Sequence, residues 1–362
     1  MNPIPSLTAS PTAPEHDVST TPPPPGINVD NVTGWFAAHV PGATGPLHFS
    51  LIAGGRSNYT YLVDDSAGHR YVLRRPPLGV LLPSAHDVAR EYRIISALAD
   101  TSVPVAPALG FCDDPEVNER PFYVMAHVDG LVLRNADDAR LLGDAAKVRA
   151  SESIADVLAD LHALDVDAVG LSDLGKREGY LGRQLKRWYG QFQQSSTYRV
   201  QTIHDVHEEL LRRIPEQQGV SIVHGDYRLD NTIVNHAGQV VAVLDWELCT
   251  LGDPLADVGL LLVYWPEPDD PNPPLGLAAS STPGFLGRQA LRTRYAQRTG
   301  RSLRDLDVYV AFGYWKLACI LDGVYARYRA GAMADDGYDW RALEEQVPLL
   351  AMSAANALEG LS

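Results

Sequence analysis

The chain has 362 residues, 45% of them hydrophobic, and a formal net charge of −15 at pH 7. This length exceeds one usual hydrophobic core, so two lobes or domains are expected, and the apolar content is enough to bury both. The acidic balance argues against nucleic acid and anionic membranes as partners.

The first 28 residues are rich in Pro, Ser and Thr, which predicts a disordered tail over residues 1–28. The N-terminal residues do not show the charged segment followed by an apolar stretch that is typical of a secretory signal. The longest apolar run, residues 258–265, is far too short to span a bilayer. The three cysteines have no CxxC or zinc spacing, which indicates reduced thiols. We therefore expect a cytoplasmic protein with no membrane partner.

The next segment, residues 29–125, has the pattern of a small β-rich lobe. Residues 51–63 read as strand, small-residue turn and strand. Backbone amides exposed by such a turn can cover phosphates, so Gly54 and Gly55 are candidate nucleotide contacts, with Ser57 and Asn58 as further donors. An ordinary Gly-Gly hairpin is the alternative, since such turns are common.

A strand over residues 71–75 ends in two cations, and a helix around residues 88–94 contains Glu91. Protein kinases use a strand lysine paired with a helix glutamate at this point of the chain. The guanidinium fork of Arg74 can bridge phosphates and a carboxylate, so we predict an Arg74–Glu91 pair at the nucleotide. Three alternatives stay open: Arg75 is the phosphate contact, the nucleotide site has been lost, or Glu91 makes only ordinary surface ion pairs.

An apolar strand over residues 121–126 then runs into a polar turn. In a two-lobed kinase this segment is the hinge, and we place it at residues 126–130. Adenine would bond to main-chain groups around Ala126 and Val128. His127 is interpreted as a surface residue of the hinge.

The densest motif is HGDYRLDN at residues 224–231, followed by LDWE at residues 244–247. Phosphoryl transfer needs an acidic residue that orients the attacking hydroxyl, and oxygen ligands that hold Mg²⁺. Asp226 suits the first role as catalytic base, and Asn231 with Asp245 suits the second. Residues 239–244 are apolar and β-branched, so Asp245 is predicted at the end of a strand. The alternative is an acidic turn beside a hairpin.

These motifs resemble those of the aminoglycoside phosphotransferase family, over about residue 30 to the end of the chain. The resemblance implies an α+β, two-lobed protein-kinase-like fold, with a small β-rich N-lobe and a larger helical C-lobe over residues 131–362. It also implies Asp226 as the base and Asn231 and Asp245 as magnesium ligands. Residues 252–257, GDPLAD, resemble a further family motif. Asp253 and Asp257 are interpreted as structural, capping a helix and bracing the loop.

The C-terminal half is predicted to be helical. Residues 145–164 and 303–329 have apolar spacings of three and four, the second with a capping pattern at residues 302–305. Residues 266–284 are rich in proline and glycine. They are interpreted as a surface connection, with a lid over the substrate cleft as the alternative.

Residues 176–189 concentrate five cations and three aromatic residues on one predicted helix. We predict that Tyr180, Arg183, Arg187 and Trp188 bind a phosphorylated or CoA-linked acceptor. The alternative is an amphipathic helix that packs Trp188 inward. With residues 73–77 and 81–86, this run resembles the phosphotransferase branch fused to acyl-CoA dehydrogenases, which implies a hydroxyacyl-CoA acceptor.

We therefore expect an Mg²⁺-dependent phosphotransferase that uses ATP or GTP and a small-molecule hydroxyl acceptor, with hydroxyacyl-CoA favoured. An aminoglycoside is the second acceptor, and acidic residues of the C-terminal helices facing the cleft would favour it. A kinase-like protein that binds a nucleotide or metabolite without transfer is the third hypothesis, motivated by arginine in place of lysine. The spacing leaves the choice of nucleotide and the oligomeric state open.

Overall fold

The computed structural model describes residues 24–52, 58–78, 87–195, 200–270, 273–332 and 337–360. Within these ranges the chain forms a small lobe built on an antiparallel sheet and a larger lobe built mainly of helices. The predicted α+β, two-lobed organisation is therefore confirmed. The predicted phosphate-covering residues Gly54, Gly55 and Ser57 lie outside the described ranges.

The N-lobe sheet has five strands in the order β1-β2-β3-β5-β4, and each neighbouring pair is antiparallel. Tyr61 and Val63, two positions apart on the second strand, are fully buried, which suits a pleated surface with one buried face. The strands are β1 (His48–Leu51), β2 (Tyr59–Asp64), β3 (Arg70–Arg75), β4 (Ala108–Cys112) and β5 (Phe122–Ala126).

Two helices cover opposite faces of this sheet, α1 (Val29–His39) and α2 (Val88–Leu98). Phe36 of α1 shares a core with Leu73 of β3, whereas Ile94 of α2 belongs to a core with Val72. Successive side chains of a strand point to opposite faces. Val72 and the residue two positions on, Arg74, therefore face α2 and the other lobe.

The predicted tail over residues 1–28 is too long at its C-terminal end. Ile27 is only 8% exposed, and the backbone N–H of Asn28 donates to Oδ1 of Asn118 at 3.1 Å. Tyr61 donates its hydroxyl hydrogen to the carbonyl of Pro25. Because these residues bury apolar surface and form hydrogen bonds, residues 24–28 belong to the N-lobe. Residues 1–23 lie outside the described ranges.

The C-lobe packs its helices around α9, which contacts α5, α6, α7 and α10. The helix predicted over residues 145–164 is confirmed to within one residue. The second predicted helix begins at Leu306 rather than residue 303, because Arg304 donates its N–H to the hydroxyl of Ser302 in a preceding turn. The helices are α3 (Ala136–Ala139), α4 (Asp144–Ala163), α5 (Tyr180–Ser195), α6 (Gln201–Arg212), α7 (Leu255–Val263), α8 (Arg288–Thr299), α9 (Leu306–Arg329) and α10 (Leu343–Glu359).

Two short antiparallel pairs pack against C-lobe helices, β6 (Ser221–Val223) with β9 (Thr250–Gly252), and β7 (Thr232–Val234) with β8 (Val240–Val243). The HGDYRLDN motif follows β6 directly and leads into β7. Asp245 comes just after β8, at a strand end as predicted. The two chemical motifs are therefore placed side by side on loops held by buried strands.

None of the helices in the described ranges combines the length and the apolar character that crossing a bilayer requires.

Candidate active site

The turn at Gly225 sets the direction of the motif loop. Gly225 has a φ of +84°, and a Cβ added there would lie 2.8 Å from the carbonyl oxygen of Leu248. Only glycine adopts this conformation without steric cost. The turn brings Asp226 out of the buried strand β6 toward the space between the lobes.

Asp257, on α7, stabilises this turn by accepting hydrogen bonds from its backbone. Its carboxylate accepts hydrogen bonds from the N–H of His224 at 2.6 Å and from the N–H of Gly225 at 2.8 Å. Nε2 of His162 lies 3.3 Å away. Burial alone would raise the pKa of Asp257, but His162, His224 and the Gly225 amide together lower it below its ordinary value. The bracing role proposed for Asp257 is thus seen directly, and Asp253 caps α7 by accepting from the N–H of Leu255 at 2.9 Å.

A buried cation holds the opposite side of the same turn. Lys316 of α9 is 5% exposed, and its ammonium group donates to the carbonyl of Gly225 at 2.7 Å. The Nζ atom also lies 5.4 Å from the ring centroid of Trp188. Burial lowers the pKa of Lys316, whereas the nearby carboxylates of Asp226 and Asp257 oppose that change. Gly225 is therefore held by a carboxylate at its N–H and by an ammonium at its carbonyl.

Asp226 is the carboxylate that this turn presents. Its Oδ2 accepts a hydrogen bond from Nδ2 of Asn231 at 2.8 Å, and Nε of Arg228 lies 3.4 Å away. The phenol of Tyr264 also donates to Asp226, and its pKa is raised well above the ordinary value by burial and by that carboxylate. The guanidinium carbon of Arg228 lies over the Tyr264 ring, 4.7 Å from its centroid. These contacts fix the orientation of Asp226.

Asp245 has φ +63° and ψ +68°, and no other non-glycine residue in the described ranges has a positive φ. A backbone conformation of this kind costs of order 1–3 kcal/mol, and it persists only where the surrounding contacts enforce it. His224 contributes to this, because its Nε2 donates to the carbonyl of Leu244 at 2.9 Å while its Nδ1 accepts from the N–H of Asp226 at 3.2 Å. The two motif loops are therefore joined through His224.

The predicted Arg74–Glu91 ion pair is present. Nε of Arg74 lies 3.1 Å from Oε2 of Glu91, and a terminal nitrogen of Arg74 lies 3.3 Å from Oδ1 of Asp245. Burial raises the pKa of Glu91 to about 7, while the charge of Arg74 acts in the opposite direction. Burial alone would lower the pKa of Arg74, but Tyr123 and the two carboxylates raise it.

Arg75 points to the other face of β3. It is fully buried, and its guanidinium donates to the carbonyls of Gly26 and Pro76. Burial lowers the pKa of Arg75. The strand pleat therefore favours Arg74, not Arg75, as the residue that faces a nucleotide.

Asn58 is not placed as predicted. Its side chain is 1% exposed and donates from Nδ2 to Oε1 of Glu91 at 2.6 Å. Tyr123 donates to the other carboxylate oxygen at 3.1 Å. Asn58 thus supports Glu91 instead of offering its amide to phosphates, because burial of that carboxylate requires donors on both oxygens.

A cleft of about 540 Å³ lies between the lobes. Its walls include Arg74, Asn231 and Asp245, together with the hinge residues Ala126 and Val128. Ala126 donates its own N–H to the carbonyl of Pro107 at 2.9 Å, so its carbonyl is the group it can offer to a base. The adenine contacts of Ala126 and Val128 stay predictions, and the cleft is large enough for a nucleotide.

The oxygen donors in the cleft suit Mg²⁺. Asn231 and Asp245 supply an amide oxygen and a carboxylate, while Nδ2 of Asn231 is taken up by Asp226. The described ranges contain no group of three or more His, Cys, Asp or Glu side chains arranged for a metal. Magnesium commonly binds through one or two carboxylates plus substrate phosphates, so this small donor set fits a nucleotide-bound ion.

The proposed acceptor helix is α5, and none of its four predicted contact residues is among the described residues that line the cleft. Tyr180 and Trp188 are 4% and 8% exposed, and the Tyr180 ring packs directly on Gly252. A guanidinium nitrogen of Arg183 donates to the carbonyl of Lys176 at 2.6 Å. The guanidinium of Arg187 lies 4.8 Å from the centroid of the Trp188 ring. The two aromatic rings belong to the core because α5 packs against α9, as the amphipathic alternative has it.

Three residues around Asp226 were missed from the sequence: Arg228, Tyr264 and Lys316. Arg228 stands inside the HGDYRLDN motif, so its cation was visible but had no assigned partner. Tyr264 ends an apolar run and gave no signal. Lys316 is a lone cation in an apolar helical stretch, a pattern that indicates a buried charge with a partner.

Comparison with known proteins shows the family of the chain. The phosphotransferase enzyme family matches residues 48–293. Acyl-CoA dehydrogenase family member 10 of Mus musculus is 34% identical over 308 residues, which cover 80% of this chain and 27% of that protein. Across the curated relatives, the chain spans about 27% to 40% of their length.

Solved structures give the same fold. A protein of Ralstonia eutropha assigned to the aminoglycoside phosphotransferases is 32% identical, with a TM-score of 0.76, covering 91% of this chain and 98% of that one. Choline kinase of Cryptosporidium parvum is 11% identical, with a TM-score of 0.65, covering 91% and 96%. An aminoglycoside phosphotransferase solved with ADP and hygromycin B is 15% identical, with a TM-score of 0.57, covering 86% and 93%. The chain therefore belongs to the phosphotransferase enzyme family and has its two-lobed, kinase-like fold.

Proposed function

We propose that this protein transfers the γ-phosphoryl group of ATP or GTP to a hydroxyl group of a small molecule, with a hydroxyacyl-CoA as the favoured acceptor. The observation that carries the proposal is the placement of Asp226. Its carboxylate is oriented by Asn231 and Tyr264, next to a cleft that Arg74, Asn231 and Asp245 line. This arrangement supports transfer rather than binding alone.

Each residue has a role that its contacts support. Asp226 orients the acceptor hydroxyl and takes its proton as the hydroxyl oxygen bonds to the γ-phosphorus; the bond from that phosphorus to the β-phosphate oxygen breaks, and ADP or GDP leaves. Arg74, held by Glu91, contacts the nucleotide phosphates. Asn231 and Asp245 would hold Mg²⁺, which neutralises charge on the phosphate oxygens when it is bound.

The engaged Arg74–Glu91 pair argues against loss of the nucleotide site. Arginine replaces the kinase lysine, yet the ion pair is formed at 3.1 Å and is nearly buried, with Glu91 2% exposed. Loss of a nucleotide site would remove the reason to keep such a pair. A related phosphotransferase binds ADP in the same fold, which supports a nucleotide co-substrate here.

Two observations favour a hydroxyacyl-CoA over an aminoglycoside. The curated relatives that share about a third of their residues with this chain, over 27% to 40% of their own length, are acyl-CoA dehydrogenase family members. In the described ranges, the residues that line the cleft and the smaller cavity beside it include no carboxylate from α8, α9 or α10. Carboxylates from those helices would have favoured a polycationic sugar. The cytoplasm is the proposed location, in keeping with three buried free cysteines.

The proposal is tested by coupled assays of nucleotide consumption with hydroxyacyl-CoAs and an aminoglycoside panel. Replacing Asp226 by asparagine should reduce transfer by at least about 100-fold, because the general base is lost. Nucleotide affinity should change little. Asp137→Asn, on the exposed surface of α3, is the matched control and should keep full activity. Full transfer by the Asp226→Asn protein would contradict the assigned role.

A further inference from the structure

A second cavity, of about 210 Å³, lies beside the cleft on the C-lobe side. Arg134, Arg228 and Asp230 line both spaces, so the two are adjoining. Tyr264 lines the smaller one and donates its phenol to Asp226. The cavity therefore begins at the residues that orient the proposed base.

The cavity walls combine charged residues near Asp226 with aliphatic residues. Arg228 and Asp230 stand at the catalytic end, with Nε of Arg228 3.2 Å from Oδ1 of Asp230. Much of the remaining wall is aliphatic and includes Leu275, Leu277 and Ala278. Leu277 is 71% exposed, which leaves a large apolar side chain for a ligand to cover.

The segment that carries these aliphatic residues is held to the C-lobe by hydrogen bonds and an ion pair. The Ser280 hydroxyl donates to the carbonyl of Pro266 at 2.9 Å, and Lys147 donates to the carbonyl of Pro283 at 3.1 Å. Arg288 is paired with Asp270. The cavity is thus a formed pocket, and a lid role for residues 266–284 stays a prediction.

Arg134 gives the cavity entrance a positive charge. It is an exposed residue, and in the described part of the chain no carboxylate forms an ion pair with it. Its charge does act on the Asp230 carboxyl group. An anionic group on an acceptor would find its partner here, whereas a polycationic sugar would meet repulsion from Arg134 and Arg228.

We infer that this cavity binds the aliphatic chain of the acceptor, that Arg134 binds an anionic group on the same molecule, and that the size of the cavity limits the chain length. The inference rests on the proposed function and adds the acceptor site. Its volume equals that of about seven water-sized groups, so chains of medium length fill it.

Acyl-CoA thioesters without a hydroxyl group test the site by binding alone. Calorimetric titration of the full-length protein with Mg-ADP would use butanoyl-CoA, octanoyl-CoA, hexadecanoyl-CoA and free octanoate. Affinity should rise by about fourfold per methylene group, as burial of each group predicts, and then stop rising once the cavity is full. Octanoate binding as tightly as octanoyl-CoA would identify a free hydroxy acid as the natural acceptor; much weaker binding would identify the thioester.

Three variants test where the acyl chain and the anionic group bind. Ala278→Phe should fill the cavity and weaken octanoyl-CoA binding by about tenfold, while butanoyl-CoA stays within about twofold. Leu277→Ala, at an exposed position that folding does not require, should weaken octanoyl-CoA by several fold. Arg134→Gln should weaken every thioester by a similar factor, because the lost charge acts on the anionic group. Leu211→Ala, an exposed leucine on α6, is the matched control.

Affinity that is independent of chain length, or unchanged in both Ala278→Phe and Leu277→Ala, would overturn the inference. Because these ligands cannot be phosphorylated, that result leaves phosphoryl transfer to other acceptors unaffected. Conversely, chain-dependent binding without any transfer to hydroxyacyl-CoAs would uphold the cavity and contradict the proposed reaction.

Discussion

Nε of Arg74 lies 3.1 Å from Oε2 of Glu91, across the gap between β3 and α2. The pair joins the sheet of the N-lobe to its helix, and the second contact of Arg74, at 3.3 Å from Asp245, extends it to the C-lobe. An arginine thus occupies the position at which protein kinases use lysine.

Replacing Arg74 by methionine should lower kcat/KM for the nucleotide by about 100-fold or more, because a phosphate contact and the partner of a buried carboxylate are lost together. Arg74→Lys should recover a large part of this. Arg75→Met is the contrasting variant. It should lower the melting temperature, since Arg75 is fully buried, and leave the nucleotide KM unchanged. The reverse pattern would assign the phosphate contact to Arg75.

Replacing Lys316 by methionine should lower kcat by about tenfold or more with the nucleotide dissociation constant unchanged. The ammonium that holds the Gly225 carbonyl is lost, so Asp226 is less well positioned. The free energy of unfolding should fall by about 1–3 kcal/mol, because the buried carbonyl of Gly225 loses its donor. Single-turnover kinetics and denaturant unfolding measure the two effects. A fall in stability with unchanged kcat would mean that Lys316 is only structural.

Replacing Tyr264 by phenylalanine should lower kcat by about tenfold, because a hydrogen bond to a charged group is removed without changing the ring. The stacking of Arg228 over that ring should persist. Steady-state kinetics with saturating nucleotide check this result. Tyr314→Phe, on the neighbouring helix α9, is a suitable control for loss of a phenol. An equal effect of both variants would contradict a specific role for Tyr264.

Asp257→Asn should lower the free energy of unfolding by about 3 kcal/mol at neutral pH, since a buried carboxylate with two backbone donors loses its charge. The lowered pKa of Asp257 in the folded state sets the pH dependence. Its stabilisation is present above its ordinary pKa of 3.8 and is lost as pH falls through the folded-state value. Unfolding curves of both proteins should therefore converge in strong acid. A difference that is constant at all pH values would contradict the account.

The order of elements in both lobes was readable from the sequence because each has a strong local signal. The strand pattern around Arg74, the apolar spacing of α4 and the HGDYRLDN motif depend only on neighbours in the chain. The Arg74–Glu91 pair was predictable for the same reason, since the kinase-like order of strand and helix brings the two together. The match to solved structures confirms the fold.

The rest of the site depends on contacts between distant segments. Lys316 reaches Gly225 across 91 positions of the chain, and no local pattern identifies that partner. Asn58 was read as a phosphate donor, but tertiary packing buries it against Glu91. The role of the aromatic residues of α5 was ambiguous for a similar reason. The sequence of an amphipathic helix with basic and aromatic residues is the same whether its rings face a ligand or the core.

The most direct test of the central claim is a ³¹P NMR experiment on the protein with Mg-ATP and a medium-chain hydroxyacyl-CoA. The account predicts a new phosphomonoester resonance that grows in step with ADP and is absent with Asp226→Asn. Growth of inorganic phosphate alone would indicate hydrolysis without an acceptor. That result, or no consumption of nucleotide at all, would contradict the assignment of this protein as a phosphotransferase acting on hydroxyacyl-CoA.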